Sequence, residues 1–220
     1  MGRKPILLIL LLLLAFLCSV ASAKTTRPDF KQPGFLVGTV FIYSDGDVEK
    51  LIDQRRNWVV IETMRKQRYK NDLNFVIPTL EKSTLTYSYQ QRVIKGNPDR
   101  LFPLDKSRSV DFVLQRKRDN GKQRERSWSC APATRQSIEV LKTVKPVYKV
   151  SCDHIGFSKN GKSGEKRESF DYYYDPSLSW VVKRVRYKKG KESARQLMYI
   201  LPPDKATPRK ITRLLKKIRR

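Results

Sequence analysis

From Phe35 onward the chain reads as short runs rich in β-branched and aromatic residues, broken by turn chemistry. Phe35 to Tyr43, Val48 to Ile52 and Trp58 to Thr63 are the first three runs, and Asp45-Gly46 between the first two signals a hairpin. Leu85, Tyr87 and Tyr89 alternate with Thr84, Thr86 and Ser88, the period of a strand with one face buried. Val110, Phe112 and Leu114 repeat it, and Asn120-Gly121 makes the next tight turn before Arg124 to Cys130. Further strands are expected over Ser137 to Leu141, Val147 to Cys152, Ser169 to Tyr174, Trp180 to Tyr187 and Gln196 to Leu201. Two segments break the pattern and read as loops: Lys95 to Asp105, and Phe157 to Arg167 with Lys159, Lys162, Lys166 and Arg167 against Glu165. The second is expected to be a mobile basic flap or a solvated hairpin tip.

Helical periodicity is nearly absent before residue 206. The fold class expected is therefore mainly β, an antiparallel meander forming an open or closed barrel or a two-sheet sandwich. At the carboxyl end, Thr207-Pro208 offers an N-cap followed by proline at the first helical position. Ile211, Leu214, Leu215 and Ile218 then fall at i, i+3, i+4 and i+7 as one apolar stripe. Arg209, Lys210, Arg213, Lys216, Lys217, Arg219 and Arg220 surround it without an acid. Such a short basic amphipathic helix has two readings: an element facing a membrane surface, or a cap on an open end of the sheet with its charges solvated.

The amino terminus changes where the protein is expected to work. Arg3 and Lys4, the apolar run Ile6 to Leu17 and Ala21-Ser22-Ala23 read as a secretory signal peptide over residues 1–23. A retained anchor is the alternative, and Phe16 and Leu17 are too bulky for lipoprotein processing at Cys18. An extended leader over 24–34, a β-rich domain over 35–205 and the basic tail over 206–220 follow. The formal net charge of +26 becomes +24 once the two basic residues of the signal are removed. Such a charge attracts anionic partners, here anionic lipid, lipopolysaccharide or acidic glycan. Export argues against nucleic acid.

Of the three cysteines in the chain, Cys130 and Cys152 lie beyond the signal, and in an oxidising compartment an even count favours a disulfide. A metal site would need more soft or imidazole ligands than the one histidine, His154, supplies. No metal or cofactor is expected. Catalysis by Cys152 and His154 competes with that disulfide, and Asp45, Asp47 and Glu49 as glycan-hydrolysing carboxylates compete with their reading as turn residues around Gly46. The chain also has no Gly-rich phosphate loop and no HExxH, and it reads as non-catalytic.

Trp128-Ser129-Cys130, Cys152, Tyr173-Tyr174-Asp175-Pro176 and Trp180-Val181-Val182-Lys183 together carry a resemblance. The stretch from Trp128 to Val182, a quarter of the chain, resembles uncharacterised bacterial periplasmic proteins with a W-x-C strand, a second Cys and a Tyr-Tyr-x-Pro hairpin. It departs from them in having Val140-Leu141-Lys142-Thr143 where they run Val-Pro-Ala-Gly. The resemblance implies a periplasmic, disulfide-linked β-meander, similar to half-barrels that bind lipids or lipoproteins in the envelope. The leading expectation is an envelope protein whose surface, or incurved sheet, binds an anionic or lipidic component. An assembly factor of an envelope protein complex, or a glycan-active enzyme, are the other two.

Overall fold

The computed structural model describes residues 28, 30–77, 79–156 and 165–219, with the backbone alone at 155, 156 and 165–167. The expected signal peptide and the loop residues Lys159 and Lys162 lie outside these residues, as does Arg220. Thirteen strands run in chain order: β1 Val40–Tyr43, β2 Val48–Arg55, β3 Trp58–Thr63, β4 Arg68–Asp72, β5 Glu81–Ser83, β6 Ser88–Gly96, β7 Val110–Arg118, β8 Gln123–Cys130, β9 Thr134–Val140, β10 Thr143–Gly156, β11 Glu165–Asp175, β12 Trp180–Lys188 and β13 Lys191–Leu201. Among the described residues one α-helix, α1, covers Pro208–Ile218.

All strand pairs are antiparallel, and pairing of β10 with β11 closes the sheet into a twelve-stranded barrel with β9 as an extra strand. β10 makes this possible by its length. One edge pairs with β11 over residues 148–156, while the other takes β9 over 143–149 and then β8 over 152–155. Closure gives every strand of the barrel wall a partner on both sides. Because neighbours alternate in direction, one mouth is fringed by the turns after β1, β3, β5, β7 and β12. The other end receives the longer connections after β4 and β6.

Those longer connections close that end. Val76 and Ile77, between β4 and β5, and Leu101 and Leu104, between β6 and β7, are buried in one cluster with Phe112, Leu114 and Trp128. Asn74 donates to Asp99 at 2.8 Å, tying the two connections together. Phe30 adds its ring edge-on to Phe102 at 4.8 Å and is buried, so packing begins before Phe35. A second inward cluster holds Phe41, Tyr43, Leu51, Val59, Ile61 and Leu197.

Outward positions are polar where the pattern is cleanest. Phe112 and Leu114 on β7 face in with Trp128 and Cys130 on β8, which leaves Asp111, Gln115, Lys117, Glu125, Ser127 and Ser129 facing out, with Val113 the apolar exception. That side of the wall is unlike the apolar belt of a barrel in lipid.

Three sequence expectations are corrected. Leu85 and Tyr87 do not begin a strand: Leu85 is 91% exposed in the β5–β6 turn, where the Thr84 hydroxyl accepts from the Tyr87 and Thr86 amides and donates to the Tyr87 carbonyl. Local threonine bonding overrides the alternation there. Lys166 and Arg167 belong to β11 rather than to a loop, since pairing with β10 extends to Glu165. The apolar stripe of α1 faces the barrel, not a membrane: Leu214 is buried with Val40, Ile42, Val48 and Leu201, and Ile211, Leu215 and Ile218 pack against them. β1 is apolar on both faces, and α1 covers the outer one. Thr207 caps the helix by accepting from the Lys210 amide.

Candidate functional site

Alternation places large aromatic side chains on the inner face of adjacent strands. Phe112, Trp128 and His154 are cross-strand partners on β7, β8 and β10, and their rings stack: Phe112 to Trp128 at 6.4 Å, Trp128 to His154 at 5.2 Å. Phe170 and Tyr172 continue the surface on β11. Across from them Trp180 stacks on Phe41 at 4.7 Å and donates through Nε1 to the Tyr43 hydroxyl at 3.3 Å. Phe75, carried inward by the β4–β5 connection, lies flat on Tyr174 at 4.8 Å.

These rings do not fill the barrel. They enclose a cavity of about 480 Å³, lined by Val59, Phe75, Trp128, Phe170, Tyr172 and Trp180 among others. That volume is in the range of small-molecule sites, which combine apolar walls with a few placed polar groups. Trp128 Nε1 is buried and has no hydrogen-bond partner among the described residues. Burial pushes the Tyr172 phenol up to about 12.

Most of the charge lining the cavity gathers at the fringed mouth, where it is asymmetric, while Asp72 lies toward the closed end and Arg184 midway along β12. On one side Arg195 Nη2 lies 2.8 Å from Glu49, with Asp45 and Asp47 each at 3.8 Å, and its guanidinium covers the Tyr43 ring at 3.7 Å. Burial works against the charged form of Arg195, but Glu49, Tyr43 and Asp45 together outweigh it and hold the guanidinium above its usual value. Burial first, and then the Glu49 charge, push the Tyr43 phenol well up. Three acids round one arginine form a structural knot with an excess of negative charge. On the other side lie Arg126 and Glu168, the latter bound by Arg186 at 3.0 Å and Lys188 at 2.7 Å.

The sequence candidates are distributed as follows. Cys130 and Cys152, paired across β8 and β10, form the disulfide, so Cys152 offers no thiolate nucleophile to His154. Asp45, Asp47 and Glu49 come together, but around Arg195. Arg209, Arg213, Lys216, Lys217 and Arg219 stand exposed on the outer side of α1, with Lys210 half-buried, all remote in role from the cavity. Among the described residues no group of three or more His, Cys, Asp or Glu is placed to hold a metal ion. The lumen residues Phe75, Trp128, Phe170 and Trp180 were not singled out by sequence as a site.

These features define a class: a closed antiparallel barrel with a ligand-sized, aromatic-walled lumen open at a charged mouth. Among solved structures, the chain is similar to the hypothetical lipoprotein YmcC of Escherichia coli, at 8% identity and a TM-score of 0.49 over 74% of this chain and 84% of that one. It is also similar to a Bacteroides fragilis protein with a YmcC-like fold, at 12% identity and a TM-score of 0.41 over 79% of this chain and all of that one. No family model matches the sequence, and no curated protein matches it.

Proposed function

We propose that this is an exported, non-catalytic binding protein of the cell envelope that holds the apolar part of an amphipathic ligand in its barrel lumen. The observation that carries the reading is the cavity of about 480 Å³ walled by Phe75, Trp128, Phe170, Tyr172 and Trp180. A void of this size lined by rings forgoes the dispersion contacts of a packed core, and an apolar ligand restores them. Export rests on the amino-terminal sequence and is the expectation that directs the choice toward envelope lipids.

N-phenyl-1-naphthylamine, an uncharged apolar dye, tests the lumen. The full-length protein is expected to bind it saturably with enhanced emission, and Phe75→Ala, which removes a stacked wall, to weaken binding about fivefold, roughly the ~1 kcal/mol of an aromatic pair. Unchanged dye binding by a folded Phe75→Ala variant, or no binding by the parent, contradicts the reading.

The outer basic ridge of α1 supports a complementary role in bringing the barrel to an anionic membrane, because its apolar stripe is already covered while Arg209, Arg213, Lys216 and Lys217 remain exposed. Attachment is then electrostatic and salt-sensitive rather than inserted.

A further inference from the structure

The inner alternation of β7 and β8 does not end with the aromatic residues. Phe112 and Leu114 are followed on the same face by Arg116 and Arg118, and Trp128 is preceded on its face by Arg126 and Arg124. Register sets Arg116 opposite Arg124 and Arg126 opposite Leu114. Both strands therefore change from apolar to cationic as they approach the fringed mouth. With Lys122 from the β7–β8 turn, four arginines and a lysine surround a small hollow of about 20 Å³. Arg126 lines both this hollow and the lumen, so the two spaces share a wall.

Five cations gathered this closely repel one another unless acids intervene. Among the described residues none of the five has a carboxylate within ion-pair distance. Glu125, between Arg124 and Arg126 in sequence, points to the other face and accepts from Gln115 at 3.3 Å. The Glu168 charge reaches Arg126 and the Asp119 charge reaches Arg118, but Glu168 is already held by Arg186 and Lys188, and Asp119 accepts from the Ser88 and Asn120 amides.

What positions the guanidinium groups is neutral. Arg116 donates through Nε and Nη2 to the Gln91 amide oxygen at 3.3 and 3.2 Å and stacks on the Tyr89 ring at 4.0 Å. Arg118 lies over Tyr87 at 5.9 Å. The cluster is oriented without being neutralised, as a fork for an oxyanion requires. Burial, and next the charge of Arg116, lower the pKa of Arg126 and outweigh the opposing charge of Glu168. The knot round Arg195 is the contrasting case in the same mouth, with three acids for one cation.

We infer that Arg116, Arg118, Lys122, Arg124 and Arg126 form a phosphate-binding site at the lumen mouth, which takes the anionic head of an amphiphile whose chain enters the aromatic cavity. The chain part rests on the function proposed above; the oxyanion site does not.

Calorimetric titration of the full-length protein with inorganic phosphate, decyl phosphate and decanol separates the two, using the parent, Arg116→Gln/Arg124→Gln and Phe75→Ala, each checked for folding by circular dichroism. The inference expects decyl phosphate to bind at least tenfold more tightly than decanol. Arg116→Gln/Arg124→Gln removes that advantage and leaves decanol affinity unchanged, whereas Phe75→Ala weakens both chains alike. Binding of inorganic phosphate with neither amphiphile sustains the oxyanion site for a free phosphate and overturns the lumen reading. Equal affinity for decyl phosphate and decanol, unmoved by the double substitution, overturns the oxyanion site and leaves the lumen reading standing. No binding of any of the three overturns both.

Discussion

Tyr172 and Tyr43 are two of ten tyrosines, and burial against the cavity holds both above the usual phenol range, Tyr172 at about 12. A folded-state pKa raised above the unfolded value of about 10 means that the native state retains the proton. The stability this brings is fully present below pH 10 and is lost as pH climbs toward 12. A titration followed at 295 nm is expected to show a late fraction, Tyr43 and Tyr172, ionising together with the loss of near-ultraviolet circular dichroism. Glu168 has the opposite sign. Burial would raise it, yet hydrogen bonds from Lys188 and Arg186 prevail and lower it, so its contribution is present above about pH 4.5 and fades in acid. Glu168→Gln is expected to lower the melting temperature at pH 7 and to narrow the gap between pH 7 and pH 3. The cysteine pair was legible at this scale because an even count needs no geometry. The partners of Asp45, Asp47 and Glu49 were not, because Arg195 reaches them only through closure of β13 onto β1.

β6 ends at Gly96, whose φ of +79° and close approach to the Asp111 carbonyl and the Phe112 backbone leave no room for a Cβ. Gly96→Ala is expected to cost 2 kcal/mol or about that, through backbone strain as well as contact, seen as a lower midpoint in urea. The disulfide joins directly paired positions of β8 and β10 across 22 residues, and replacing both cysteines by alanine is expected to remove about 3 kcal/mol on the chain-entropy model. α1 was legible as a helix from its cap and its stripe. Its surroundings were not, because a stripe of four residues fits a membrane and a barrel wall equally well in sequence. The doubly apolar β1, Val40 to Tyr43, was the signal that an outer cover was needed. Truncation after Ala206 uncovers Val40 and Ile42 and is expected to lower the melting temperature by several degrees. Lys216→Glu/Lys217→Glu, on the exposed side, should leave the melting temperature unchanged and weaken co-sedimentation with anionic liposomes at low salt.

For the whole molecule, antiparallel order and the β class follow from short alternating runs, since neighbouring strands pair with their sequence neighbours at little loop-closure cost, whereas the short β4 and β5 carry no such run and were not legible as strands. Closure does not follow from local pattern. It depends on β10 serving three partners, a property of its length and of a register that reaches Glu165. The lumen was hidden for the same reason: inward alternation looks alike whether rings meet in a packed core or line a void. What sequence did carry, once the face was known, was the change along β7 and β8 from Phe112 and Leu114 to Arg116 and Arg118, and from Trp128 back to Arg126 and Arg124. That gradient gives the β7–β8 side of the barrel an aromatic interior and a cationic entrance, beside the acid-rich knot round Arg195 in the same mouth.

Two of the three tryptophans, Trp128 and Trp180, line the lumen, and the third, Trp58, does not. In a Trp58→Phe variant, emission therefore reports the lumen wall alone. Titration with decyl phosphate brominated at the chain end is expected to quench this emission saturably at one ligand per chain, with Arg116→Gln/Arg124→Gln shifting the curve to at least tenfold higher concentration. Emission that falls only linearly, as by collision from bulk solvent, would contradict an amphiphile held by its head at the arginines and by its chain in the barrel.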